Sequence, residues 1–266
     1  MTVSITHLNG KPATAGDLAP LAFAGYAHFT SMQVRGSAVK GLDLHLERLR
    51  AASEELFGDA LPRDRVRGLL RAALDTAPPD VSLACFLTSR PGFAPAGGPG
   101  AIDVLIKVTD SAQPPAGPLA LDAVLHERHL PHLKHVGEIA KTYYLRQAKA
   151  RGFDDAAFHD RSGRFSEATI WNLAFWDGES LIWPRARVLA GVTMQILTRR
   201  LHALGVPQQT REIRGSELAG ELSAVVMNSW TPAVPVSRLG GYRLAVGTDL
   251  ACLLHEAYTG EPPIPV

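Results

Sequence analysis

LKHVGEIAKTYYLRQAKARGFDDAAFHDRSGRFSEATIWN, residues 133–172, is the stretch on which the reading of the fold turns. Its first half predicts a helix over about Ile139 to Arg151. A short strand is expected at Asp155 to His159, and another from Thr169 to Trp176. One helix followed by short apolar strands is the signature of a mixed α/β unit rather than of a bundle or a sandwich.

The same pattern continues outward. Downstream, strands are expected at Leu181 to Trp183 and Ala224 to Ser229, with helices over about Thr193 to Leu204 and Thr248 to Tyr258. Upstream, Leu119 to Leu125 reads as a strand. Ser111 to Pro118 (SAQPPAGP) is Pro-rich and has no large apolar side chain to pack, so it reads as a linker. Before it, Phe29 to Arg35 reads as a strand. Leu42, Leu46, Leu49 and Leu56 recur at near-helical spacing with Asp43 as the expected cap, and a second helix spans about Asp64 to Asp75. Val81 to Thr88 and Ala101 to Val108 read as strands flanking a Gly/Pro-rich loop that starts at Arg90. The expected organisation is a smaller α+β domain over 1–110, a linker over 111–118 and a larger α/β domain over 119–266.

Composition sets bounds on function. A chain of 266 residues with 46% apolar and 20% charged residues can bury a sizeable core. The net charge of +1, with no Lys/Arg block, gives no reason to expect a nucleic-acid partner. No apolar stretch reaches membrane-spanning length, and residues 1–11 lack a basic region followed by an apolar one. A cytoplasmic protein is the resulting expectation. Cys85 and Cys252 both sit in apolar runs, and two buried thiols are expected rather than a disulfide.

One short region concentrates reactive groups: His126, His129, His132, Lys134, His135, Glu138 and Lys141. Four histidines at three-residue intervals suggest a metal site, but Pro131 interrupts any helix that would align them. No Asp or Cys joins them at ligand spacing, so no metal is expected. A lysine that forms a Schiff base needs burial or a cationic neighbour. Lys134 lies between apolar residues where loop passes into helix, and Lys141 lies inside that helix. Local sequence does not choose between them.

Leu133-Lys134-His135-Val136-Gly137, followed by Gly152-Phe153-Asp154-Asp155-Ala156, resembles the cofactor segment of the class IV aminotransferases and aminodeoxychorismate lyases. That pattern places the lysine 18 residues before a glycine and 22 before an alanine; from Lys134 both steps land, on Gly152 and Ala156. From Lys141 they reach His159 and Gly163, and neither matches. Asp160 to Glu167, then Asn172, is similar to the family's D-x-x-G-x-(V/I)-(T/S)-E-x-x-x-x-N, with Glu167 standing 33 residues after Lys134. Leu189-Ala190-Gly191-Val192-Thr193 resembles L-x-G-(V/I)-T-R, with Met194 replacing the arginine. Asn228-Ser229 takes the place of a Gly-Thr pair, and His45-Leu46-Glu47-Arg48-Leu49 matches H-L-x-R-L.

The resemblance implies a fold type IV enzyme with pyridoxal 5′-phosphate (PLP) between its two domains, and a homodimer. Lys134 would hold the cofactor, and Glu167 would pair with its pyridine nitrogen and sustain the electron sink. Arg48, the helix start at Val192 and Thr193, and Ser229 would anchor the phosphate, with Asn172 nearby. The implied substrates are a small amino donor and a keto-acid acceptor, making a transaminase; the alternative is a lyase acting on aminodeoxychorismate. Thr30 replaces the family's common glutamate, which is reminiscent of some lyases, and no arginine–histidine carboxylate trap is evident near Arg90. Tyr26, His28, Thr30 and Trp230 are the substrate-pocket candidates, with plain core packing as the alternative for each aromatic or histidine.

Overall fold

Burial along residues 27–35 alternates: His28, Thr30, Met32 and Val34 are buried, and Phe29, Ser31 and Gln33 only half so. Such period-two burial makes a strand with one face on a core. The computed structural model, which describes residues 2–89, 102–219 and 222–266, builds its first unit around that strand. The elements are β1 (Ser4–Leu8), β2 (Lys11–Pro12), α1 (Ala19–Ala24), β3 (Ala27–Arg35), β4 (Ala38–Lys40), α2 (Leu42–Phe57), α3 (Arg63–Leu74), β5 (Val81–Ser89) and β6 (Ile102–Asp110). The strands form an antiparallel sheet in the order β2–β1–β6–β5–β3–β4. Apolar faces of α2 and α3 close over it through Leu49, Phe57, Val66 and Leu70, against Met32, Leu83 and Ile106.

The second unit is a closed barrel. Its elements are β7 (Leu119–Leu125), α4 (Ile139–Ala150), β8 (Asp155–His159), β9 (Phe165–Ala168), β10 (Asn172–Trp176), β11 (Leu181–Pro184), α5 (Val192–Ala203), β12 (Gln208–Arg211), β13 (Ser223–Asn228), β14 (Thr231–Leu239), β15 (Tyr242–Arg243) and α6 (Thr248–Thr259). Pairing runs β10–β13–β14–β7–β8–β9 and returns to β10 through the single register pair Asn172↔Glu167. Leu121, Leu173, Phe175, Val226, Val234 and Val236 fill this core. Leu197 and Leu201 of α5 and Leu250 and Leu254 of α6 pack with Val225 and Met227. A last strand, β16 (Pro263–Pro265), pairs with β4 of the first unit. The two compact units are Met1–Gln113 with Leu133–Gly137 and Pro262–Val266, and Pro114–His132 with Glu138–Glu261. No helix among the described residues is long and apolar enough to cross a membrane.

Several expectations need correction. The strand expected over Thr169 to Trp176 begins only at Asn172, as β10; Thr169 to Trp171 form the turn that follows β9, a strand absent from the sequence reading. The nine-residue β14 is absent from the sequence reading because Pro232 and Pro235 argue against a strand interior. Asp43 does not cap α2; Gly41 stands at the N-cap with φ 67°, and Asp43 lies in the first turn. Cys85 is buried but Cys252 is exposed, because Leu250 and Leu254 take the inward face of α6; both thiols are free. The loop expected from Arg90 to Gly100, and Ala101, lie outside the described residues.

Candidate active site

Lys134 is fixed on the first unit by its backbone. β4 covers only the C-terminal end of β3, at Val34 and Arg35, which leaves the start of that edge open. The segment 134–136 fills it: Phe29 N–H donates to the Lys134 carbonyl at 2.8 Å, and Val136 N–H donates to the Ala27 carbonyl at 3.0 Å. His28 and His135 stand opposite each other in that bridge. Lys134 Nζ lies 4.7 Å from the centre of the Phe29 ring, on the half-buried face of β3.

The opposite face of β3 carries buried His28 and Thr30 and meets buried His45 of α2. Thr30 Oγ1 lies 2.6 Å from His45 Nδ1, and His28 Nε2 lies 2.9 Å from Ser53 Oγ. Burial pulls His28 down to about 3. It does the same to His45, also to about 3, with Arg48 and Lys134 adding positive potential. Lys134 and Arg48 therefore share one neighbourhood around His45. Burial also lowers the Arg48 guanidinium to about 10.

Glu167 belongs to the second unit. Glu167 is buried on β9, and its Oε1 accepts from an Arg128 terminal nitrogen at 2.8 Å. Its other oxygen, Oε2, accepts only a long 3.4 Å bond from Leu189 N–H among the described residues. Arg128 also donates through Nε to Glu138 Oε1 at 2.8 Å and to the Pro131 carbonyl at 2.9 Å. Lys141, in the first turn of α4, sits in the same field. Burial, then Arg128, lowers its ammonium below the ordinary lysine range, against Glu167, Glu138 and Asp155.

Of the residues expected to hold the phosphate, Val192, Thr193 and Ser229, with Asn172 nearby, lie in the second unit and Arg48 in the first. Gly191 stands at the N-cap of α5 with no side-chain cap, so the N–H groups of Val192 and Thr193 begin the helix uncapped. Asn172 Nδ2 donates to the Leu189 carbonyl at 2.7 Å and ties the preceding loop to β10. A Cβ on Gly191 would lie 1.9 Å from Asn172 Oδ1, so that approach requires glycine. Thr193 Oγ1 donates to the Asn228 carbonyl at 2.8 Å, holding the β13–β14 turn against α5. Ser229 is half-buried in that turn, beside Trp230, which is 40% exposed and meets Trp171 edge-on at 5.8 Å. Tyr26, 38% exposed, donates to the Leu56 carbonyl at 2.7 Å.

Sequence reasoning passed over Arg128, although it sits within the histidine run. Arginines are usually exposed, and its partner Glu167 lies 39 residues away in sequence. His126 is a packing residue, between Tyr144 and Phe158 at 5.1 and 4.8 Å. No group of three or more His, Cys, Asp or Glu among the described residues could hold a metal.

The class IV amino-transferase family model matches residues 27–239, and the chain belongs to that family. No curated protein matches. Among solved structures, a Legionella pneumophila protein described as a 4-amino-4-deoxychorismate lyase superposes with TM-score 0.80 at 20% identity, covering 91% of this chain and 93% of its own. The branched-chain aminotransferase of Thermoproteus uzoniensis, with norvaline, gives TM-score 0.81 at 17% identity over 97% and 94%. The branched-chain amino acid aminotransferase of Thermobaculum terrenum, in its PLP form, gives 0.78 at 13% over 96% and 92%. These likenesses show the fold, that of the type IV PLP enzymes. The family's cofactor is PLP, and the residues of each unit fit it. One unit offers an amine and the guanidinium of half-buried Arg48. The other offers an under-bonded buried carboxylate oxygen and an uncapped helix start.

Proposed function

We propose that this protein is a PLP-dependent aminotransferase, moving an amino group between an amino acid or amine and a keto acid. The observation that carries the reading is the seating of Lys134 on the open edge of β3, with its amine over Phe29 and its field felt by His45. Lys134 would hold the cofactor, and its amine would move a proton to and from the substrate α-carbon as general base and acid. PLP supplies the electron sink when bound. Glu167 keeps a proton at the ring nitrogen. Arg48, the N–H groups of Val192 and Thr193, and the Ser229 hydroxyl bind the phosphate. Asn172 acts by holding the loop that precedes α5. Tyr26 and Trp230 are the proposed pocket aromatics. His28 and Thr30 act through Ser53 and His45, by holding α2 and its Arg48 in place.

A second reading is a lyase that releases pyruvate and 4-aminobenzoate from aminodeoxychorismate. Thr30 at the family's usual glutamate position favours it. The two readings separate when holoenzyme meets an amino donor without an acceptor. A transaminase converts its cofactor to the pyridoxamine form. A lyase releases pyruvate from aminodeoxychorismate with its cofactor unchanged, and that outcome would replace the first reading by the second.

We also propose a homodimer in the cytoplasm. Ile139 (86% exposed) and Tyr143 (57%) stand one turn apart on α4, and Leu125 is 55% exposed; covering such side chains favours association. Sedimentation at micromolar concentration tests it, and a monomer would contradict it.

A further inference from the structure

The second unit buries a guanidinium between two carboxylates. The Arg128 side chain is 2% exposed, that of Glu138 11% and that of Glu167 5%. Different nitrogens of Arg128 take the two acids: Nε bonds Glu138, and a terminal nitrogen bonds both Glu167 and the Pro131 carbonyl. Three bonds from three directions fix the plane of the fork. The fork thereby joins the loop after β7, the start of α4 and the middle of β9. Burying such charges is costly, and an apolar replacement is often as stable. Fold stability alone is therefore a poor account of this set, and a role for the Glu167 carboxylate is a better one.

We propose that Arg128 is a positioning residue that takes Oε1 of Glu167 and sets its positive charge beside that carboxylate, leaving Oε2 to bond the cofactor's ring nitrogen, and that Glu138 moderates this effect by sharing the guanidinium. The inference rests on the reading that Glu167 faces that nitrogen. A positive charge beside a buried carboxylate makes it a weaker competitor for a shared proton. Without Arg128, Glu167 becomes the stronger base and draws the shared proton off the ring. Glu138 works against this, because its own charge offsets part of the guanidinium's. Removing the charge at Glu138 while keeping an acceptor for Nε commits Arg128 to Glu167. The two substitutions therefore act in opposite directions, which a merely structural role would not produce.

The test is a pH titration of the bound cofactor's visible band, with PLP affinity measured by fluorescence quenching and folding checked by circular dichroism. Loss of positive charge from the ring makes the remaining protonated group hold its proton more tightly. Arg128→Met raises the spectral midpoint by about 1 pH unit or more and weakens PLP binding at least about tenfold. Arg128→Lys restores part of both effects. Glu138→Gln lowers the midpoint. If Arg128→Met does not fold, Arg128→Lys and Glu138→Gln still carry the test. Folded forms of both with the wild-type midpoint and affinity overturn the proposal. Glu167→Gln separates the two levels. A shifted midpoint there with silent Arg128 and Glu138 variants overturns this inference alone; a wild-type midpoint in Glu167→Gln overturns the placement of Glu167 as well.

Discussion

Glu167 and Asn172 stand directly opposite each other where β9 meets β10, the pair that closes the barrel. Five residues of chain thus bring the carboxylate and the amide that holds the α5 loop onto neighbouring strands. Asn172→Ala leaves the Leu189 carbonyl without its 2.7 Å donor. An unsatisfied buried carbonyl costs about 1–3 kcal/mol. The expected outcome is PLP affinity weakened about tenfold in a spectrophotometric titration, with the barrel still folded.

Gly191→Ala places a Cβ 1.9 Å from Asn172 Oδ1. Overpacking of this kind costs about 1–3 kcal/mol, so the melting temperature falls by several degrees. Asn172→Ala relieves the overlap. The double variant is therefore expected to melt higher than the sum of the two single losses predicts, and strict additivity would show that the two side chains do not meet.

His28 and His45 fold as neutral rings, both held near 3 by burial. Unfolding exposes them to water, where each binds a proton below about 6.5. The unfolded state then holds more protons, so stability is full above pH 6.5 and falls as pH drops from there toward 3. The slope is at most about 1.4 kcal/mol per pH unit for each ring. His45→Asn, which retains an acceptor for Thr30, is expected to remove about half of that slope in denaturant melts between pH 7 and 4. An unchanged slope would contradict the assignment.

Cys85 is fully buried, with its thiol pushed up to about 12, whereas Cys252 is exposed. A thiol reagent on the native protein is expected to modify one cysteine quickly, at Cys252, and Cys85 only after denaturation.

Much of this was legible in sequence wherever periodicity or spacing reached far enough. Leu119–Leu125 and Asp155–His159 are strands at their expected bounds, because each is a short apolar run between polar punctuation. Lys134 stood out only through its distances to Gly152, Ala156 and Glu167; its own neighbours gave no signal. Phe165–Ala168 escaped because four residues are too few to show a period. Pro232 and Pro235 hid β14, since propensity counts against proline while the barrel accommodates it. Arg128 was illegible because its meaning lies in two partners, ten and 39 residues away, that only the fold brings to it.

The identity of the cofactor lysine is tested most directly by borohydride reduction of the holoenzyme followed by peptide mapping. Lys141 is the real competitor, since its ammonium is desolvated beside Arg128 and Glu167. The expected result is one pyridoxyl group per chain, on Lys134, retained in Lys141→Ala and lost in Lys134→Ala. A pyridoxyl group on Lys141, or none on the reduced protein, would contradict the account.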